Sequence, residues 1–234
     1  MQLQRLREEV CAANLRLAAE GLVTLTWGNV SGIDADRAVM AIKPSGVPYD
    51  QLTPQRVVLV GIADGEVVAG DLRPSSDTPT HLALYRAFPA CGGVTHTHSP
   101  KATAFAQARR PIPCLGTTHA DHFAREVPVT RPLTEQEVEE AYEAHTGDSI
   151  VELFEGAGLD PVSLPAVLLA GHAPFAWGPT AAASVDNAIA LEAVAGMALD
   201  TAALSGGSPP PLEAHVLRKH HLRKHGPDAT YGQK

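Results

Sequence analysis

Between Leu3 and Leu204 the sequence contains no stretch that reads as an interdomain linker. Short apolar runs, some of helical period and some alternating, follow one another across turns of Gly, Pro, Asn and Asp, which restricts the chain to one α/β body. The only linker-like composition, Ser205-Gly206-Gly207-Ser208-Pro209-Pro210-Pro211, comes late. Residues 1–234 are therefore expected to form a single domain, with 205–211 as a flexible link to a basic C-terminal helix and tail over 212–234. The sequence contains no internal repeat.

Leu3, Leu6, Val10, Ala13 and Leu17 predict a helix over Leu3–Ala19, ended by Gly21. Leu22–Thr26 and Ala38–Ile42 read as hairpin-like strands, and Val57–Ile62 and Glu66–Val68 flank Asp64-Gly65, a strong hairpin signal. Thr78 as N-cap with Pro79 behind it opens a helix to about Phe88. Gly93–His98 reads as a strand, Lys101–Ala108 as a helix, and Thr134-Glu135-Gln136-Glu137 as a capping box opening a helix to about His145. A short helix over Ile150–Glu155, a buried strand over Ala166–Ala170, a long helix over Thr180–Ala203 and a basic helix over Leu212–His225 complete the expectation.

Hydrophobic residues are 44% of the chain but aromatics only 5%, so the core has to be built mainly from Ala, Val and Leu. A net charge of −8 argues against general binding to nucleic acid or anionic membranes, both of which need a basic field. No run approaches the ~18 uninterrupted apolar residues of a membrane span. The most apolar segment, Ala181–Leu204, is broken by Asp186, Glu192 and Asp200. Cys11, Cys91 and Cys114 form an odd, widely spaced set, which excludes a disulfide framework or a four-cysteine zinc site and suits a reducing cytoplasm. With a charged N-terminus lacking a secretory apolar region, a cytoplasmic location is expected.

Chemistry concentrates in a few places. In a strand, His96 and His98 project from one face, so both imidazoles can reach one cation, although two ordinary histidines sharing a face read the same way. His172 follows a predicted strand, and Asp77 precedes a helix start. Three imidazoles and a carboxylate suit Zn²⁺, or another divalent transition metal such as Mn²⁺ or Co²⁺. Gly28-Asn29, Lys43-Pro44-Ser45-Gly46 and Ser75-Ser76 sit at strand ends or helix starts, where glycine backbone, hydroxyls and amides can cradle a phosphate; ordinary turns use the same residues. Asp121 beside His119 offers a carboxylate–imidazole pair or simply a polar loop. The basic tail carries Arg218, Lys219, His220, His221, Arg223, Lys224 and His225, then Tyr231, which suits a solvated helix or an arm folding over an anion.

Thr24-Leu25-Thr26-Trp27-Gly28-Asn29-Val30-Ser31, Ile42-Lys43-Pro44-Ser45-Gly46-Val47, Pro74-Ser75-Ser76-Asp77-Thr78-Pro79-Thr80-His81, Thr95-His96-Thr97-His98 and Gly116-Thr117-Thr118-His119-Ala120-Asp121 resemble the class II aldolase/epimerase superfamily. Pro174-Phe175-Ala176-Trp177-Gly178 and the ending Leu222-Arg223-Lys224-His225-Gly226…Tyr231-Gly232-Gln233 narrow the resemblance to its pentulose-phosphate epimerase branch. The likeness runs from about Leu3 to Gln233.

The resemblance implies an α/β fold, a central and mainly antiparallel sheet flanked by helices in three layers. It implies metal ligation by Asp77, His96, His98 and His172. It assigns the substrate phosphate to Gly28, Asn29, Lys43, Ser45, Gly46, Ser75 and Ser76, with Arg223 in support, and acid–base chemistry to Asp121 and Tyr231 with His220. It further implies a homotetramer of fourfold cyclic symmetry with active sites between subunits. The expected reaction interconverts L-ribulose 5-phosphate and D-xylulose 5-phosphate by retro-aldol cleavage of C3–C4 and re-addition to the other face, because C4 is not adjacent to the carbonyl and resists direct deprotonation. Two positions depart from the pattern: Ala170-Gly171 stands before His172 where a polar residue is expected, and His221 replaces an aromatic. The alternatives are a class II sugar-phosphate aldolase of the L-fuculose- or L-rhamnulose-phosphate type, which usually carries Glu at position 77, and a non-catalytic metal- or sugar-binding module.

Overall fold

The computed structural model describes residues 2–230. Their element order is α1 (Gln2–Ala19), β1 (Asn29–Ile33), β2 (Val39–Ile42), β3 (Val58–Gly61), β4 (Val67–Ala69), α2 (Thr78–Ala87), β5 (Gly93–His96), α3 (Pro100–Gln107), α4 (Thr117–Ala120), α5 (Glu135–Gly156), β6 (Ala166–Leu168), β7 (Pro174–Gly178), α6 (Ala181–Ser205) and α7 (Ala214–His225). The strands form one seven-stranded sheet in the order β4-β3-β2-β1-β5-β7-β6. Every neighbouring pair in it is antiparallel.

The alternation of side chains along β1 sorts the layers. Gly32 faces α1 and α6: a Cβ there would meet Val10, Ala181 and Leu6 at 3.0–3.6 Å. Ser31 faces the other way, bonding to His81 and Tyr85 of α2 at 2.7 Å each. The sheet is thus the middle layer between α1/α6 and α2/α5. The core is built largely of Ala, Val and Leu, as the composition requires, with one aromatic knot of Phe88, Phe154 and Trp177. Asn14 is buried in it and ties α1 to β1: its amide donates to the Val10 and Val30 carbonyls and accepts from Val30 N–H, all within 2.9 Å. By length and apolar composition α6 would suit a membrane span. Here one side of it packs on the sheet, and Ser184 bonds Thr95 of β5 at 2.7 Å.

Several local expectations shift. Leu22–Thr26 is a turn-containing loop rather than a strand, with Leu25 at φ +54°. The hairpin partner of β2 is β1, with Ser31 opposite Ile42. The reason lies at Gly28 (φ +79°), where a Cβ would stand 2.8 Å from the His96 carbonyl, so the chain enters β1 along a path open to glycine alone. Asp77, not Thr78, is the N-cap of α2, and its side chain makes no capping bond. Strand β5 ends at His96, leaving His98 just beyond it. The expected helix over Ile150–Glu155 is the last part of α5, whose Thr134/Glu137 capping box is present and which breaks instead at Ala141. Strand β7 was not foreseen, and α7 starts at Ala214.

Candidate active site

Sheet register builds the site. Asn29 of β1 and Phe175 of β7 stand opposite His96 of β5 on either side, so all three project to the α2/α5 face. His96 stacks on Phe175 at 4.3 Å. Its Nδ1 lies 3.0 Å from the Pro174 carbonyl, which can only accept, so Nδ1 carries the hydrogen and Nε2 is left with a lone pair. That Nε2 is 3.2 Å from Nε2 of His98, and His172 joins them so that one ligand nitrogen from each lies within 4.8 Å of the others. Two nitrogens on adjacent corners of a tetrahedral zinc site stand about 3.3 Å apart, given Zn–N of ~2.0–2.1 Å, so the close pair has the separation of a ligand pair. Burial and the neighbouring imidazoles push His98 down and His172 to about 4, keeping both neutral as ligation requires. The donor set fits a divalent transition metal.

These histidines form one wall of a pocket of about 440 Å³. Gly28, Asn29, Lys43, Ser45, Gly46, Ser75, Ser76 and Asp77 all line it. Lys43 is 2% exposed and lies with Nζ 4.7 Å above the Tyr49 ring. No carboxylate pairs with it among the described residues. Burial pushes its ammonium down to about 8. A buried cation without a counter-ion, facing three serines, is an anion site in chemical terms. Asp77 lies between the two ends. Burial alone would raise its carboxyl, but His96, His81, the Asn29 amide and His172 hold it below the usual carboxylate range. Its Oδ2 accepts from Asn29 Nδ2 at 2.6 Å, and the carboxylate stands outside the three-histidine cluster.

The pocket also contains residues that the sequence did not single out: Tyr142 and Glu143, just past the break in α5. Nothing local marks them, because the break that presents them has no proline or glycine. His81 of α2, one turn past Asp77 and not lining the pocket, was likewise unforeseen. It is fully buried, held neutral with its pKa lowered to about 3 by burial, and only its Nδ1 is bonded, to Ser31.

Asp121, His220 and Arg223 do not line this pocket. They form a second cluster where α7 crosses α4. Asp121 accepts from Arg223 Nε at 3.0 Å and Nη2 at 2.6 Å, and its Oδ1 is 3.1 Å from His220 Nδ1. Burial opposes its charge, but the hydrogen bonds from Arg223 and His220 and the Arg223 charge keep its carboxyl below the usual range. The expected Asp121–His119 pair does not form: His119 Nε2–H donates to the Arg125 carbonyl at 2.8 Å, and burial lowers its pKa to about 4. Arg223, expected to support the phosphate, is engaged by Asp121. Tyr231 lies outside the described residues.

An antiparallel sheet between helical layers, with a three-histidine ligand set and an anion end in one pocket, defines a metal-dependent enzyme of the class II aldolase type. Residues 8–199 match the family described as class II aldolase and adducin N-terminal domain, and the chain belongs to that family. A protein of Salmonella paratyphi A named L-ribulose-5-phosphate 4-epimerase UlaF is 49% identical over 232 residues, covering 99% of this chain and all of that protein. Its counterpart in Salmonella paratyphi C is 48% identical over 235 residues, with the same coverage. Among solved structures, an L-fuculose 1-phosphate aldolase superposes with a TM-score of 0.73 at 25% identity, covering 94% of this chain and 95% of its own. YgbL of Klebsiella pneumoniae, described as a putative aldolase/epimerase/decarboxylase, gives 0.74 at 26% identity, covering 94% of this chain and all of its own.

Proposed function

We propose that this chain is a metal-dependent epimerase that interconverts L-ribulose 5-phosphate and D-xylulose 5-phosphate by breaking and re-forming C3–C4. The observation that carries the reading is one pocket holding a three-imidazole ligand set and a buried Lys43 with no carboxylate partner among the described residues. The end-to-end likeness to proteins named as this epimerase supports the choice of substrate.

His96, His98 and His172 would hold the metal, with Asp77, whose carboxylate lies outside that cluster in the same pocket, as the candidate fourth ligand, and Zn²⁺ suits this donor set best. Bound there, the metal supplies Lewis-acid polarisation of the sugar's carbonyl and neighbouring hydroxyl. Lys43, Ser45, Ser75 and Ser76 hold the phosphate, and Gly28 and Gly46 let backbone approach it closely. Gripping the phosphate keeps the cleaved aldehyde in place while its carbonyl turns over.

Inverting C4 needs a proton taken on one face and returned on the other, the work of Asp121 and Tyr231 supported by His220. Asp121 and His220 form a carboxylate–imidazole pair away from the metal pocket of their own chain. A second copy would therefore complete each site, consistent with a homotetramer of cyclic symmetry. Three buried free thiols suit a reducing cytoplasm.

The test is incubation of purified, Zn²⁺-loaded protein with L-ribulose 5-phosphate. Formation of D-xylulose 5-phosphate supports the reading. Accumulation of free dihydroxyacetone and glycolaldehyde phosphate would replace it with an aldolase, and no turnover with any loaded metal would leave a binding module.

A further inference from the structure

The break in α5 falls where two cavities meet. Ala141 has extended backbone (φ −164°, ψ 74°), and the next residue, Tyr142, lines the Lys43 pocket together with His172. The same two side chains line a smaller cavity of about 180 Å³ that reaches Arg131. The His172 ring thus stands as a partition between two open spaces. Its backbone is fixed by a tight turn, with Gly171 at φ +76°, His172 N–H bonded to Leu169 O, and Leu169 N–H bonded to Ala173 O, both at 3.0 Å.

Among the described residues the His172 ring meets His96 and His98 edge-on at 5.0 and 4.9 Å, whereas His96 is stacked on Phe175 and bonded to the Pro174 carbonyl. The His172 ring's hydrogen-bond contact among the described residues is the Tyr142 hydroxyl, 3.3 Å from Nδ1. Tyr142 is placed in turn by a rigid seam. Gly147 lets α5 close on α2, since a Cβ there would stand 2.6 Å from Ala83 Cβ and 3.1 Å from Thr80 Cα. Thr80 Oγ1 donates to the Glu143 carbonyl at 2.6 Å. The helix that carries Tyr142 is therefore locked to the helix that carries Asp77.

We propose that Tyr142 is a positioning residue for His172: its hydroxyl oxygen accepts the Nδ1–H, holding the ring in the tautomer whose Nε2 lone pair faces the metal. The inference rests on the metal reading above. A metal-ligating histidine whose second nitrogen is anchored in this way typically loses about 10- to 100-fold in metal affinity when the anchor is removed.

The experiment is equilibrium competition for Zn²⁺ between a chelator and the full-length wild type, Tyr142→Phe or His98→Asn, with melting temperatures of the metal-free forms as a folding check. We expect Tyr142→Phe to stay folded and bind Zn²⁺ about 10- to 100-fold more weakly. Equal affinity in wild type and folded Tyr142→Phe, with His98→Asn binding lost, overturns the inference and leaves the metal site standing. Failure of the wild type to bind Zn²⁺ overturns both. Nitrogen NMR of metal-free wild type gives a test independent of any variant: His172 should carry its hydrogen on Nδ1, and the Nε2–H tautomer would refute the proposal.

Discussion

Lys43→Met separates a binding role from a structural one. The side chain is buried and carries no ion-pair partner among the described residues, and burial lowers its pKa to about 8 from an ordinary value of ~10.4. The folded state therefore disfavours the charged form. Below pH ~8 the lysine is protonated in both folded and unfolded chains, so its desolvation counts against folding throughout the neutral range. Methionine fills similar volume without a charge, so the melting temperature at pH 7 should be unchanged or higher. Substrate affinity should fall, because a charge-assisted contact contributes about 1.5–3 kcal/mol, or roughly 10- to 150-fold. Phosphate contacts persist from ground state to transition state, so KM should rise more than kcat falls. The pH profile gives the sharpest check. In wild type, kcat/KM should decline above pH ~8, by about tenfold per unit as the ammonium deprotonates, and that limb should be missing in Lys43→Met. A variant with wild-type KM, or with lowered stability and an unaltered pH limb, would refute the anion-site assignment.

Three further outcomes follow from other contacts. His98→Asn and Asp121→Asn should each be inactive alone, yet mixed and reassembled they should recover activity, because some sites then combine an intact metal half with an intact Asp121 half; no recovery in verified mixed oligomers would place the whole site in one chain. Asn14→Ala strands the Val30 N–H and two carbonyls in the core and should lower unfolding free energy by at least about 2 kcal/mol by denaturant titration, with m unchanged. Glu192 of α6 accepts from the Lys101 and Ala102 N–H groups at 2.8 and 2.9 Å, capping α3 from outside. Glu192→Ala should therefore cost about 0.5–2 kcal/mol, measured the same way, and a null effect would show those N–H groups well satisfied by water.

The caps and turns were legible in the sequence because their energetics are local. The Thr134–Glu137 capping box and the Asp64-Gly65 hairpin each satisfy their own backbone groups within a few residues, whereas the cap of α2 moved from Thr78 to Asp77. The pairing of His96 with His98 was legible for the same reason, since two residues of separation brings the rings together even though β5 stops at His96. Strands β1 and β7 were not, because short buried strands are defined by their neighbours, and Gly28 takes its meaning from the His96 carbonyl that only the folded sheet brings against it.

Convergence was decided by tertiary structure. Sequence named His172, Lys43 and Asp77 as candidates, but their meeting at one pocket depends on sheet order and on α2 lying over β1. Tertiary structure also redirected Asp121 from His119, two residues away, to His220 and Arg223, 99 and 102 residues away, because burial turned His119 toward the Arg125 carbonyl. It alone set Tyr142 against His172, through a helix break that no proline or glycine announces and a Gly147 seam that fixes where the broken helix can lie. Residue chemistry is a local property that the sequence carries outright, whereas distance between remote side chains is settled only when the layers pack.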